Sequence, residues 1–441
     1  MLTLPSDLVA NLQKAHHAVG QVRYGIASFT GPELGKGDRT MSHIFNRRSV
    51  LGIAGGAGIT LAGTGSALAK LAEIDIEPRG SDGILERLPT LDLESYDEMS
   101  TSTRLWIDTK LTKAAEKRAL EIMAANGYGP DDTVPRDTAI AMLKDDPIIS
   151  FRNHTWQRLQ KHMWNALRNE FYSNYDAYMS EMESADKTGP GVLEFNPGIE
   201  PEYTKHEIHM QPGGYTGDEF AGHMYHYGTN NFYNGRNYQD EFHTSLTRMI
   251  PVPADGKVLR ILDMGCGCGQ EVVTLKKRFP EAEVWGVDVA APMVRYAHMR
   301  AVDMGYDVNF RHALAEETGF PDGYFDIVTS YILHHEVPEQ ATYDIIHEAA
   351  RVLRPGGIFY PIDFYTSPGR SAQDGRAWRR IRDWMTYRWN HERWLYEYQQ
   401  ADFEGEIRRS EMVLNRDEAK DTMTYPVGRT KSHNIMGTKP V

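Results

Sequence analysis

Asp263 ends a short apolar run at residues 258–262 and is followed by Met264-Gly265-Cys266-Gly267-Cys268-Gly269. Glycines at alternate positions let a ligand approach the backbone closely, and the helix signalled next by Val272, Val273 and Leu275 would aim unpaired N–H groups at it. A second apolar run, residues 283–287, ends on another acid, Asp288, and Pro292 stands where the first turn of a following helix would begin. A carboxylate at that strand end can accept both hydroxyls of a ribose. The order strand, glycine turn, helix, strand, acid is therefore that of a nucleoside pocket. It is not the nicotinamide fingerprint, because Gln270 occupies the third glycine position counted from Gly265. Cys266 and Cys268, the chain's only cysteines, are too close for an unstrained disulfide and too few for a closed zinc site. The pairs His206/His209 and His223/His226 lack a carboxylate at metal-ligand spacing, so no metal is assigned.

The run Asp263 to Gly269, with Asp288, resembles the S-adenosylmethionine site of class I methyltransferases, in the flavour of the ubiquinone- and menaquinone-biosynthesis enzymes and their small-molecule relatives. Three further motifs follow in order. Phe320-Pro-Asp-Gly-Tyr-Phe-Asp-Ile-Val328 resembles the approach to the fourth strand, Ile332-Leu-His-His335 the turn after it, and Glu348-Ala-Ala-Arg-Val-Leu-Arg-Pro-Gly-Gly357 the helix and glycine turn before the fifth. The resemblance implies an α/β fold: a Rossmann-like seven-stranded sheet flanked by helices. It implies that Asp263 and the backbone of Gly265, Cys266, Gly267 and Gly269 hold the methionine moiety, that Asp288 grips the ribose, and that Val289 and Ala315 lie against adenine. The family's Gly-Asp-Ala before the adenine is here Ala313-Leu314-Ala315, which removes a side-chain contact to the adenine amino group and leaves only backbone to replace it. The implied cofactor is S-adenosylmethionine, with S-adenosylhomocysteine as product. If the acceptor must lose a proton, His334 or His335 is the first candidate base and His226 or Tyr227 the second, since a neutral imidazole titrates near working pH. The competing role for the 334–335 pair is to cap the turn and pack beside the cofactor.

Those residues need a scaffold, and 441 residues exceed what one core usually organises. The sequence divides into a polar leader (1–40), a twin-arginine-like apolar segment (41–70), a mainly helical region with an aromatic lid segment (71–250) and the methyltransferase domain (251–441). Helices are expected over 105–126 and, from the spacing of Trp156, Leu159, Met163, Leu167, Phe171, Tyr175 and Tyr178, over a longer stretch ending at Gly189-Pro190-Gly191. Residues 203–243 pack His, Tyr, Phe, Asn and Gly with little aliphatic content, fitting either a pocket wall or a long surface loop. Beyond the fifth strand at 358–361 and the acid-bearing segment 363–365, a helix rich in Trp and Arg spans 376–395; it reads as cover or dimer contact ahead of membrane contact. Residues 405–414 and 433–439 read as the last two strands.

Composition narrows the partners. Forty-eight basic against 61 acidic side chains give a net charge of -13, which disfavours nucleic acid. The segment 49–69 follows Arg47-Arg48 and ends in Ala67-Leu68-Ala69, resembling an export signal with possible membrane contact. Because the implied cofactor is made and recycled in the cytosol, the expected compartment is cytoplasmic. The expected activity is methyl transfer to a small molecule, aromatic or quinone-like acceptors being favoured, with a possible homodimer. The alternatives are a protein or lipid acceptor, or a cofactor-binding scaffold without turnover.

Overall fold

The computed structural model describes Leu88 and residues 91–196, 198–363, 375–416, 420–423, 429–432 and 435–441. The leader, the twin-arginine-like segment and positions 364–365 lie outside the described residues. Among the described residues no helix is long and apolar enough to cross a membrane.

The chain opens with α1 (Leu91–Trp106), a single π turn (Ile107–Leu111) and α2 (Thr112–Ala125), so the helix expected from 105 begins well upstream. After α3 (Arg136–Leu143), Asp146 caps α4 (Pro147–Ser173) by accepting from the N–H groups of Ile148 and Ile149. The aromatic stripe does not run on unbroken: Asn174 interrupts it and α5 (Tyr175–Ala185) follows. Strand β1 (Leu193–Glu194) precedes α6 (Ala221–Phe232) and α7 (Glu241–Thr247). Arg104 on α1 is fully buried; it donates to Asn231 Oδ1 of α6 at 2.8 Å and to Gln160 of α4, and lies 5.2 Å from the Trp156 ring centroid. One cation thus ties three helices together.

The strand-helix alternation then runs β2 (Arg260–Met264), α8 (Gln270–Arg278), β3 (Glu283–Asp288), α9 (Ala291–Met304), β4 (Asn309–His312), β5 (Phe325–Tyr331), α10 (Glu339–Val352) and β6 (Leu353–Ile362). Next come α11 (Ala377–Trp389), α12 (Leu395–Gln400), α13 (Phe403–Arg409), β7 (Val413–Arg416), the hairpin β8 (Lys420–Met423) and β9 (Arg429–Ser432), and β10 (Ile435–Thr438). The main sheet has the order β1-β4-β3-β2-β5-β6-β10-β7. Pairing is parallel from β1 through β6, whereas β10 runs antiparallel to both β6 and β7. This is the Rossmann-like seven-stranded sheet with one more strand, β1, added at the edge from the helical region.

Residues 405–409, expected as strand, form most of α13 instead; Asp402 accepts from the Gly405 N–H, and that cap starts a helix. Ile261, Val284, Ile327 and Ile358 pack one face of the sheet, together with Phe242, Leu246 and Ile250 from the region before it. Leu262, Val328, Phe359, Ile345 and Ile346 pack the other. The Trp-rich helix buries Ala377, Ile381 and Met385 against Ala115, Ala139 and Leu143, with Trp378, Trp384 and Trp389 alongside, so this chain itself covers that face. Within α6, a Cβ on Gly228 would sit 2.0 Å from the Trp164 ring and one on Gly222 would sit 2.4 Å from Tyr296 Cβ. These glycines serve close helix packing, not mobility.

Candidate functional site

Strand order reverses between β2 and β5, and the crevice at their C-terminal ends is where open α/β sheets bind ligands. The glycine turn enters it with left-handed backbone at Gly265 (φ 72°), Gly267 (φ 51°) and Gly269 (φ 74°). The Gly265 and Cys266 N–H groups both donate to Val287 O at 2.9 Å, tying the turn to β3. A Cβ on Gly269 would lie 2.9 Å from Ala297 Cβ and 2.9 Å from Phe310 Cζ. Gly269→Ala therefore combines overpacking with a disfavoured φ and is expected to cost roughly 2–4 kcal/mol. Chemical denaturation measures this; a midpoint unchanged from wild type would contradict it.

Asp288 accepts from the Gly267 N–H and the Ala290 N–H, each at 2.8 Å, which fixes its carboxylate at the mouth of the turn. Burial still pushes it up to about 6, against those backbone bonds. Asp263 is 1% exposed and neither carboxylate oxygen has a hydrogen-bond partner. Burial first, then the charges of Glu271 and Asp288, hold it well above the usual carboxylate range. Glu271, buried on α8, accepts from Thr329 Oγ1 at 3.0 Å through Oε1, has no partner for Oε2, and is pushed up to about 7 by burial. Asp263, with neither oxygen paired, and Glu271, with one unpaired, can each still accept a donor or a positive charge. Cys266 packs toward β3, and burial pushes both thiols up, that of Cys268 to about 12.

A cavity opens over this turn. Gly265, Gly267, Asp288, Val289 and Ala315 line it, and so do Tyr203, His206, Tyr215, Tyr225, Glu316, Tyr331 and Glu336. Asp263, Cys266 and Gly269 are not among the residues that line it. The Val289 carbonyl accepts from His312 Nε2 at 2.9 Å, which holds that wall.

The histidine candidates sit elsewhere. His334 faces Ser330 Oγ at 3.3 Å and burial brings it down to about 4. His335 donates from Nδ1 to Asp363 at 2.8 Å; burial opposes its charge, but Asp363 prevails and lifts it to about 9. Both are buried and neither lines the cavity. His226 bonds the Tyr296 hydroxyl at 2.8 Å, and burial holds it well below the ordinary imidazole range. Tyr227 packs 6.0 Å from the Phe171 ring, in the helical core. On α6 it is Tyr225 that turns to the cavity, because adjacent helical positions point about 100° apart.

Glu336 was missed by sequence reasoning, though it is the next residue after the histidine pair. It ends the 3-10 turn after β5, and its Oε1 accepts from His209 Nε2 at 3.0 Å and from the Tyr215 hydroxyl at 3.2 Å. His209 lies 2.8 Å from Asn390 Nδ2 through its other nitrogen and has left-handed backbone, φ 53°. Burial opposes its charge, but the bond to Glu336 and the charge of Glu392 raise it above the ordinary imidazole range. The cavity thus presents the Glu336 side chain, bound by His209 and Tyr215 and ringed by tyrosines.

Residues 261–357 match the family model described as methyltransferase domain. The demethylmenaquinone methyltransferase of Thermus thermophilus is 40% identical over 122 residues, 27% of this chain and 54% of the relative. The 27-O-demethylrifamycin SV methyltransferase of Amycolatopsis mediterranei is 33% identical over 140 residues, 31% and 49% of the respective chains. This chain spans about half the length of these curated relatives. Among solved structures, magnesium protoporphyrin IX methyltransferase from Synechocystis with bound S-adenosylmethionine shares 18% identity, with 47% of this chain and 84% of that one covered at a TM-score of 0.32.

Proposed function

We propose that this protein transfers a methyl group from S-adenosylmethionine to a small-molecule acceptor, and that the acceptor is an aromatic or quinone-like ring bearing an ionisable oxygen. The observation that carries the cofactor half is the orphaned Asp263 carboxylate under a glycine turn, beside an Asp288 already oriented by backbone N–H groups. These residues fit that nucleoside: two buried oxygens lack a donor, and a Cβ at Gly265 would sit 2.7 Å from Leu333 Cδ1 and narrow the cradle. Asp263 and the backbone of Gly265 and Gly267 would hold the methionine moiety, Asp288 the ribose, and Val289 and Ala315 the base. When bound, the cofactor supplies a methyl carbon already activated by a positive sulfur, so the protein's main task is alignment.

The acceptor half rests on the walls. Tyr215, Tyr225, Tyr331 and Leu333 offer ring-sized apolar faces, and Glu336 is the carboxylate among them. Glu336 takes the proton of an acceptor O–H, while His209 and Tyr215 hold its side chain in place. Glu336→Gln is therefore expected to lower kcat by about a hundred- to ten-thousandfold for a hydroxyl acceptor while leaving S-adenosylhomocysteine affinity unchanged. A kcat within a few-fold of wild type would remove Glu336 from the chemistry. The compartment that suits this activity is the cytoplasm, where the cofactor is regenerated.

Labelled-methyl incorporation into candidate phenols and hydroquinones, with Asp288→Ala as the control, tests the activity. Binding of S-adenosylhomocysteine without any product would favour the scaffold reading.

A further inference from the structure

Tyr225 of α6 lines the cavity, and among the described residues its hydroxyl has no hydrogen-bond partner, nor is that oxygen shut away in the interior. The neighbouring tyrosines differ: Tyr215 donates to Glu336, and Tyr331 shares a bond of 2.8 Å with Tyr233. Tyr225 also spans the two halves of the site. A Cβ on Gly267 would lie 3.7 Å from Tyr225 Cε1, so one edge of the ring meets the glycine turn. The Tyr215 ring stands nearly perpendicular to it, centroids 5.4 Å apart, and the Tyr215 hydroxyl reaches Glu336 Oε1 at 3.2 Å. Burial first, then charges that include those of Glu336 and Asp288, keeps the Tyr225 proton on well beyond the usual phenol range, so the group remains a donor.

We propose that the Tyr225 hydroxyl donates a hydrogen bond to the acceptor oxygen and stabilises the oxyanion left there when Glu336 takes its proton. The proposal rests on the acceptor reading above. In that step the O–H bond breaks, the proton joins the Glu336 carboxylate and the electron pair stays on the acceptor oxygen, where it can form the bond to the methyl carbon as the carbon–sulfur pair leaves with sulfur. A phenol in water ionises near about pH 10, so at neutrality its oxyanion is scarce unless a donor is aimed at it. A hydroxyl fixed between the glycine turn and Glu336 is such a donor, standing where charge develops and needing no reorganisation of solvent. Because α6 belongs to the helical region, that region would supply a contact to the reacting oxygen as well as a wall. A tyrosine that served as wall alone could be replaced by phenylalanine without effect.

The phenol probe 4-nitrophenol reads this apart from turnover, because its anion is coloured and its neutral form is not. It is titrated with pH while bound to the full chain in the presence of S-adenosylhomocysteine. In wild type the bound probe is expected to ionise about one to two pH units lower than in Tyr225→Phe, which is the worth of one hydrogen bond to a charged oxygen. The same variant is expected to lose about ten- to a hundredfold in kcat toward a hydroxyl acceptor. Melting curves check that Tyr225→Phe folds; should it not, Tyr225→Leu, which also lacks the hydroxyl, takes its place. Equal ionisation of the bound probe in wild type and variant overturns the proposal and leaves the acceptor reading standing. Failure of wild type to bind the probe overturns the acceptor reading, and this proposal with it, while binding of S-adenosylhomocysteine decides the cofactor reading separately.

Discussion

Asp263→Asn should stabilise the ligand-free protein at pH 8 yet lower its affinity for S-adenosylhomocysteine by about a hundredfold or more. Asp263 is 1% exposed, with both oxygens unpartnered, so its charge is uncompensated until a cation arrives. An amide of the same shape removes the charge that destabilises the empty site, and the same replacement removes the partner of the ligand's ammonium. Deleting one member of a buried ion pair costs about 3–5 kcal/mol, which is the hundredfold or more expected. The pH dependence has a definite sign. Asp263, Asp288 and Glu271 all sit above their ordinary values when folded, chiefly through burial, at about 6 for Asp288 and about 7 for Glu271. The unfolded chain releases these protons first, so ligand-free stability is greatest at acid pH and is lost as pH rises from about 4 through about 7. Thermal unfolding of wild type and variant at pH 5 and pH 8 reads this directly. The variant's advantage should be a few degrees at pH 8 and smaller at pH 5. An Asn variant that melts lower than wild type at pH 8, or that binds normally, would refute the assignment.

Binding of S-adenosylhomocysteine near pH 7 is expected to release about one proton. Thr329 touches Glu271, the tyrosines Tyr331 and Tyr233 sense its charge, and Asp263 is influenced by Glu271 and Asp288. With no positive neighbour among these groups, the empty site retains protons that a carboxylate in water would have lost. An arriving ammonium favours the charged forms and expels a proton, so affinity should climb as pH rises from about 6 to about 8. Calorimetric enthalpies in phosphate and Tris buffers should differ in proportion to the buffers' own ionisation enthalpies. Glu271→Gln should retain binding but lose much of that difference. Identical enthalpies in the two buffers for wild type would mean that the acids are already ionised in the empty site.

How much of the site was legible follows sequence distance. Asp263, the glycine turn and Asp288 belong to one strand-turn-helix-strand unit, where local backbone preference and apolar alternation suffice to align them. His209, Tyr215 and Glu336 meet across separations of 127 and 121 residues, and Tyr203 meets Glu316 across 113. No local signal announces such pairs. Around α6 the aromatic content was visible but not its phase, so His226 and Tyr227 stood out while Tyr225 is the residue at the cavity. Residues 405–414 read as strand, and the Asp402 cap makes helix of their first half.

The sequence by itself determined the parallel sheet and the glycine turn with its two flanking acids, because each follows from φ/ψ preferences and side-chain alternation within a few tens of residues. Only the tertiary structure decided the rest of the cavity. Which carboxylate and tyrosines line it, and which imidazole meets Glu336, depend on helices and turns far apart in the chain closing on one crevice. Long-range packing sets those positions through the burial each face gains, and that free energy is not written in any local run of residues.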